Sequence, residues 1–130
     1  MSANVDLVRS ICAAFERGDY ADAQWADPEI EHVIADGPEA ATIRRRAGLA
    51  EVIRTLFREV EDFRGEAERY RELDAEHVLV LARGFGRGKQ SGVPVSIRGA
   101  EVFEVHNCMV TRVVLYWDRD RAFADLGLEG

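Results

Sequence analysis

The stretch Ser96–Asp118, SIRGAEVFEVHNCMVTRVVLYWD, decides how this chain is read, because it predicts two long strands joined by a tight turn at His106-Asn107-Cys108. Side chains alternate between the faces of a strand. Counting back from the turn, Val105, Phe103, Glu101, Gly99 and Ile97 fall on one face, and Glu104, Val102, Ala100 and Arg98 on the other. On the returning strand Thr111, Val113, Leu115 and Trp117 share a face, while Val110, Arg112, Val114, Tyr116 and Asp118 share the opposite one. The result is a half-buried antiparallel pair with one carboxylate, Glu101, aimed into its apolar side.

Outward from this pair, Asp118 is a cap for a short last helix over Arg119 to Leu126, closed by Gly127. Before it, Leu79, Leu81, Arg83 and Phe85 share one face of a strand from His77 to Phe85, and Gly86–Gly92 is a hairpin loop. A further strand is expected near Ala67 to Arg71, with Asp74-Ala75-Glu76 as the turn between them. The strongest helical period runs from Leu49 to Glu61, with Leu49, Val52, Ile53, Leu56, Phe57 and Val60 on one stripe. Nearer the start, Asn4 is a candidate cap for a helix carrying Val8, Ile11, Cys12 and Phe15, which Gly18 closes. A second short helix is expected from Asp19 through Trp25 or Ala26, ended by Pro28. The strand Glu29 to Ile34 then places His32 on one face with Ile30 and Ile34, before Asp36-Gly37-Pro38 breaks it. Helices first, one strand, a helix and then antiparallel strands describe an α+β domain over residues 1–130, a curved sheet with helices on its concave side around a pocket.

Composition narrows the partners. A net charge of −7 and a pI near 5.0 argue against a nucleic-acid backbone. No apolar run reaches the roughly 18 residues of a membrane span, and the start lacks a leader-like stretch, so a cytoplasmic protein is expected. Cys12 and Cys108 read as free thiols, and no Cys/His cluster suggests a metal. Gly84–Lys89 looks like a phosphate loop, but strands flank it. Arg44-Arg45-Arg46 reads as a solvated run in a polar loop.

The order of elements, FERGDYADAQWADPEIE (Phe15–Glu31), GRGKQSG (Gly86–Gly92) and VVLYWDRDRAFADLGL (Val113–Leu128) together resemble the SnoaL-like branch of the nuclear transport factor 2 (NTF2) superfamily. The resemblance implies an NTF2-like cone, commonly paired as a homodimer through the outer sheet face. It also implies activities such as those of ketosteroid isomerases and polyketide cyclases. Val102, Val114 and Tyr116 are the outer-face apolar residues expected to support that dimer.

By the same resemblance, the general base of ketosteroid isomerases falls on His32, the protonated acid on Glu101, and the helix-one tyrosine on Ile11. Alternation independently points Glu101 and His32 toward the pocket, where burial would raise the carboxyl pKa and leave the imidazole near neutrality. Asp36, just past the strand of His32, is a third catalytic candidate. Trp117, Phe103, Leu115, Ile11, Phe57 and Arg83 are candidate substrate-binding residues, with Arg83 also a candidate inward partner of Glu101. The Asp-Arg-Asp chemistry of limonene-epoxide hydrolases fits less well, because Arg98 and Glu101 face opposite ways. The expectation is a cofactor-independent isomerase, dehydratase or cyclase acting on a small apolar molecule. The alternative is a non-catalytic domain that binds a ligand or a protein.

Overall fold

The computed structural model describes residues 2–19, 24–37 and 40–129, and within these the side chains of residues 53 and 55–57 lie outside the description. Helix α1 (Ala3–Glu16) is followed by β1 (Ala26–Ile34), β2 (Ala41–Arg44) and α2 (Arg45–Glu59). Strands β3 (Val60–Glu72), β4 (His77–Gly88), β5 (Pro94–His106) and β6 (Met109–Tyr116) come next, and α3 (Arg119–Leu126) follows them. The six strands form one sheet in the order β2-β1-β6-β5-β4-β3. All neighbours are antiparallel except β1 and β6.

The decisive hairpin forms with a two-residue turn, Asn107-Cys108, both at positive φ (51° and 63°), the twist that closes a tight hairpin without splaying its strands. The concave face carries Val78, Val80, Phe103, Val105, Val110 and Val113, packed against Val5, Val8 and Ile11 of α1 and Leu49 of α2. Burying side chains of this size contributes roughly 1.5–3 kcal/mol each. On the outer face, α3 lies over Leu79, Ala100, Val102 and Tyr116. The Asp118 carboxylate caps α3 by accepting from the Asp120 N–H at 2.9 Å, and Gly127 ends it at φ 69°.

Several expected boundaries move. Ser2, not Asn4, caps α1, its hydroxyl accepting from the Val5 N–H at 3.1 Å. The Asn4 amide donates to the Ala75 carbonyl at 2.8 Å and ties the helix to the β3–β4 turn. Gly18 closes α1 as expected, with its N–H on the Phe15 carbonyl and that of Asp19 on the Ala14 carbonyl. Of the short helix expected over Asp19 to Ala26, residues 20–23 lie outside the description; Gln24 and Trp25 form a turn, and Ala26 opens β1. Pro28 therefore sits inside a strand, which is tolerated because the pairing with β6 shifts register between Ala26 and Glu31, where a missing N–H costs no ladder bond.

The helix expected from Leu49 begins four residues earlier, at Arg45, and gives way to strand at Val60. Of the arginine run, Arg44 and Arg45 are solvated as expected, Arg44 pairing with Glu31 at 3.2 Å at the surface, whereas Arg46 is anchored by donating to the Ala26 carbonyl. β3 is far longer than expected and is an edge strand dense in charge, the composition that keeps an edge from pairing with another chain. Among the described residues, no helix is long and apolar enough to cross a membrane.

Candidate functional site

Strand register fixes where the predicted residues meet. His32 on β1 lies beside Val113 on β6, which lies opposite Phe103 on β5; one step along, Ile34 lies beside Leu115, which lies opposite Glu101. His32 and Glu101 thus share the concave face two strands and two residues apart, with Val113, Phe103 and Leu115 between them. Strand spacing near 4.8 Å and a rise near 3.3 Å put their Cα atoms roughly 12 Å apart, so they flank a patch of sheet rather than bond to each other.

Both groups are chemically unusual. The Nδ1 of His32 is buried and, among the described residues, has no hydrogen-bond partner. Burial lowers the pKa of this imidazole, because the charged form loses its hydration, so it is neutral at pH 7. Part of Glu101 remains accessible, yet its carboxyl lies deep enough that desolvation raises its pKa from 4.5 to about 7. A neutral imidazole able to take a proton and a carboxylic acid able to give one therefore lie on the same face of the sheet.

Two residues not among the predicted site residues extend this side of the face: Cys12 near Glu101, and Tyr70 bonded to Cys12. Cys12 of α1 hydrogen-bonds with Tyr70 of β3; burial first, and then the Glu101 carboxylate, push its thiol up to about 12. The Tyr70 hydroxyl is also held well above its ordinary pKa, by burial and then by Cys12, and the Arg9 guanidinium stacks 4.3 Å over its ring. Straight alternation hides Tyr70. Ala67 and Tyr70 are three residues apart and would face opposite ways, but the pairing with β4 shifts between Ala67 and Arg69 and turns both toward α1.

The other expected residues distribute differently. Arg83 is not a partner of Glu101. It shares the outer face with Leu79 and Leu81, stacks 4.9 Å over Phe85 and lies 3.9 Å from the Glu68 carboxylate. Glu101 is instead paired in register with Val80. Asp36 is buried, but its carboxylate accepts the backbone N–H groups of Trp117 (2.7 Å) and Asp118 (3.1 Å), clasping the end of β1 to the start of α3. It holds the fold rather than a substrate. Asp36→Ala is expected to lower stability by about 2 kcal/mol, since it leaves two amides without their charged acceptor, and urea denaturation would read this.

Trp117 falls just past the end of β6 and is 42% exposed, so it does not form the inner wall expected of it. Its indole covers Gly37, where an added Cβ would come within 2.9 Å of the ring and where φ is +85°. Ile11 and Phe103 are 2% exposed and make up the packed floor, with Leu115 less buried beside them. The Phe57 side chain lies outside the description. Of the residues expected to offer apolar surface to a second copy, Val102 and Tyr116 are buried beneath α3 of their own chain, and Val114 is half-buried. Among the described residues, no three His, Cys, Asp or Glu side chains gather to hold a metal ion.

No family model matches the sequence, and no curated protein matches it either. Solved structures do. An NTF2-like protein of unknown function from Burkholderia pseudomallei K96243 is similar over 95% of this chain and 97% of its own, at 19% identity and a TM-score of 0.80. TerC, co-crystallised with polyporic acid, matches over 96% of this chain and 98% of its own, at 18% identity and a TM-score of 0.77. A protein from Catenulispora acidiphila DSM 44928 with a ketosteroid isomerase-like fold, in complex with trimethylamine, matches over 95% and 94%, at 16% identity and a TM-score of 0.73. Among the described residues, three helices on a curved six-stranded mixed sheet, superposing on these proteins over nearly the whole chain, make this an α+β protein with the NTF2-like fold.

Proposed function

We propose that the concave face binds a small, mostly apolar molecule and performs cofactor-independent acid–base chemistry on it, with His32 as general base and Glu101 as general acid. One observation carries the reading: two half-buried ionisable groups, one an imidazole with an unpartnered Nδ1 and the other a carboxyl raised to about 7, flank an apolar patch on the same face. In this reading the His32 imidazole takes a proton from carbon next to a carbonyl and later returns it to the product or the leaving hydroxyl. Glu101, protonated, donates a hydrogen bond to the oxygen on which negative charge develops, and returns to that state when the charge collapses. Isomerisation, dehydration and aldol-type cyclisation all begin with that step. The hydrogen-bonded Cys12–Tyr70 pair keeps the carboxyl side of the patch polar without adding a charge.

The rival reading is a non-catalytic ligand-binding domain, favoured by the near-complete burial of Ile11 and Phe103, which fill the floor with packing rather than with reactive groups. A panel of cyclic ketones, polyketide-like aromatics and polyporic acid, screened for binding and then for turnover, separates the two. Under the enzymatic reading, His32→Ala and Glu101→Gln lose turnover and keep binding. Binding with no turnover by the unmodified protein across the panel would leave the rival standing.

A further inference from the structure

A second site stands on the opposite face of the sheet, independent of the reading above. The chain is acidic overall, yet the corner between β3, β4 and α3 is basic. The register shift at Glu68 turns Arg69 and Arg71 outward beside Leu81 and Leu79, their partners on β4. α3 then brings Arg119 and Phe123 across from the other side, and the whole lines a groove of about 230 Å3. Its floor is apolar (Leu79, Leu81, Phe123), its rim is three guanidiniums, and one carboxylate, Glu129, lies at its edge.

The charges are not equally free. Arg119 is held by the carbonyls of Gly99 (3.0 Å) and Ala82 (2.9 Å) and by the Glu68 carboxylate. Arg69 and Arg71 are exposed and make no ion pair among the described residues. Two free guanidiniums against Glu129 leave a surplus of one positive charge above an apolar floor. The geometry points to a binding site for a small amphipathic monocarboxylate, with its acid group between Arg69 and Arg71 and its hydrocarbon on Leu79, Leu81 and Phe123. The volume falls below the roughly 300–1,000 Å3 of pockets that take drug-sized molecules, so the ligand has on the order of ten non-hydrogen atoms. A second copy of the chain fits poorly here, because a two-fold contact would set this rim of arginines against itself.

Octanoate is the probe, with 1-octanol and inorganic phosphate as its uncharged and headgroup-only counterparts. Amide NMR spectra of the full chain should show saturable octanoate shifts at Leu79, Leu81 and Phe123, and none at His32 or Glu101. Replacing Arg69 and Arg71 together by Gln should weaken octanoate at least tenfold. Glu129→Gln should tighten it severalfold, and 1-octanol and phosphate should each bind at least tenfold more weakly than octanoate. Equal binding of octanoate and 1-octanol, equal binding of phosphate, an unaffected double variant, or shifts centred on the concave face would each overturn the proposal. Because the two faces report on separate amides, failure here leaves the His32–Glu101 reading untouched, and the reverse also holds.

Discussion

His32→Ala is expected to lower kcat/KM by roughly 10²–10⁴ on any substrate the concave face turns over, the usual contribution of a positioned general base. The pH profile carries the more specific expectation. In the proposed chemistry the active form has His32 neutral and Glu101 protonated. The imidazole's pKa lies below 6.5, so the acid limb falls under that value, and the carboxyl sits at about 7, so activity declines above it. The two limbs of the resulting bell belong to different residues. Glu101→Gln has no proton to give and should lower turnover, and the activity that remains should lack the alkaline limb. A Gln variant that retained both limbs would remove Glu101 from the chemistry.

Glu101→Gln is also expected to stabilise the protein, by about 3 kcal/mol at pH 9 and by little at pH 5. The folded chain binds this proton more tightly than the unfolded one, since the carboxyl is raised from 4.5 to about 7. Stability from the wild-type side chain is therefore full below pH 4.5, falls between 4.5 and 7, and stays reduced above 7, where the buried group must ionise. The difference of about 2.5 pH units at 1.36 kcal/mol each sets the size of the effect. Urea denaturation of both proteins at the two pH values measures it directly, and an equal gain at both would show that burial of charge is not the cause. Retaining a group that costs stability at neutral pH is intelligible when the group does something else.

What could be read ahead of the structure was local. Alternation back from Asn107-Cys108 puts Glu101, Phe103 and Val105 on one face, and the structure keeps them there because β5 runs without interruption through those positions. Caps and closing glycines of α1 and α3 are equally local, and only the capping residue of α1 moved. The misses share a cause, irregular register. Val110 is fully buried on the concave side although simple alternation assigns it to the outer face, since the pairing with β5 shifts between Glu104 and Val105 and leaves Thr111 as the extra residue. Tyr70 was hidden by the same kind of shift at Glu68. Arg83 shows a different limit. Alternation groups it correctly with Leu79 and Leu81, but which side of a sheet becomes the outside depends on where the last helix docks, and that helix lies more than thirty residues away.

The parallel pairing of β1 with β6 also dictates an order of assembly. His32 finds its neighbour Val113, and Asp36 its amides at Trp117 and Asp118, only after almost the entire polypeptide has left the ribosome. During synthesis α1 and β1 have no completed sheet to join, while β3 through β6 can pair with their immediate neighbours as hairpins. Long loops of chain must close before the first and last thirds meet, which slows folding and exposes β1, with its Ile30, Val33 and Ile34, in the meantime. A chain halted before Val113 would carry His32 on a strand paired with β2 alone.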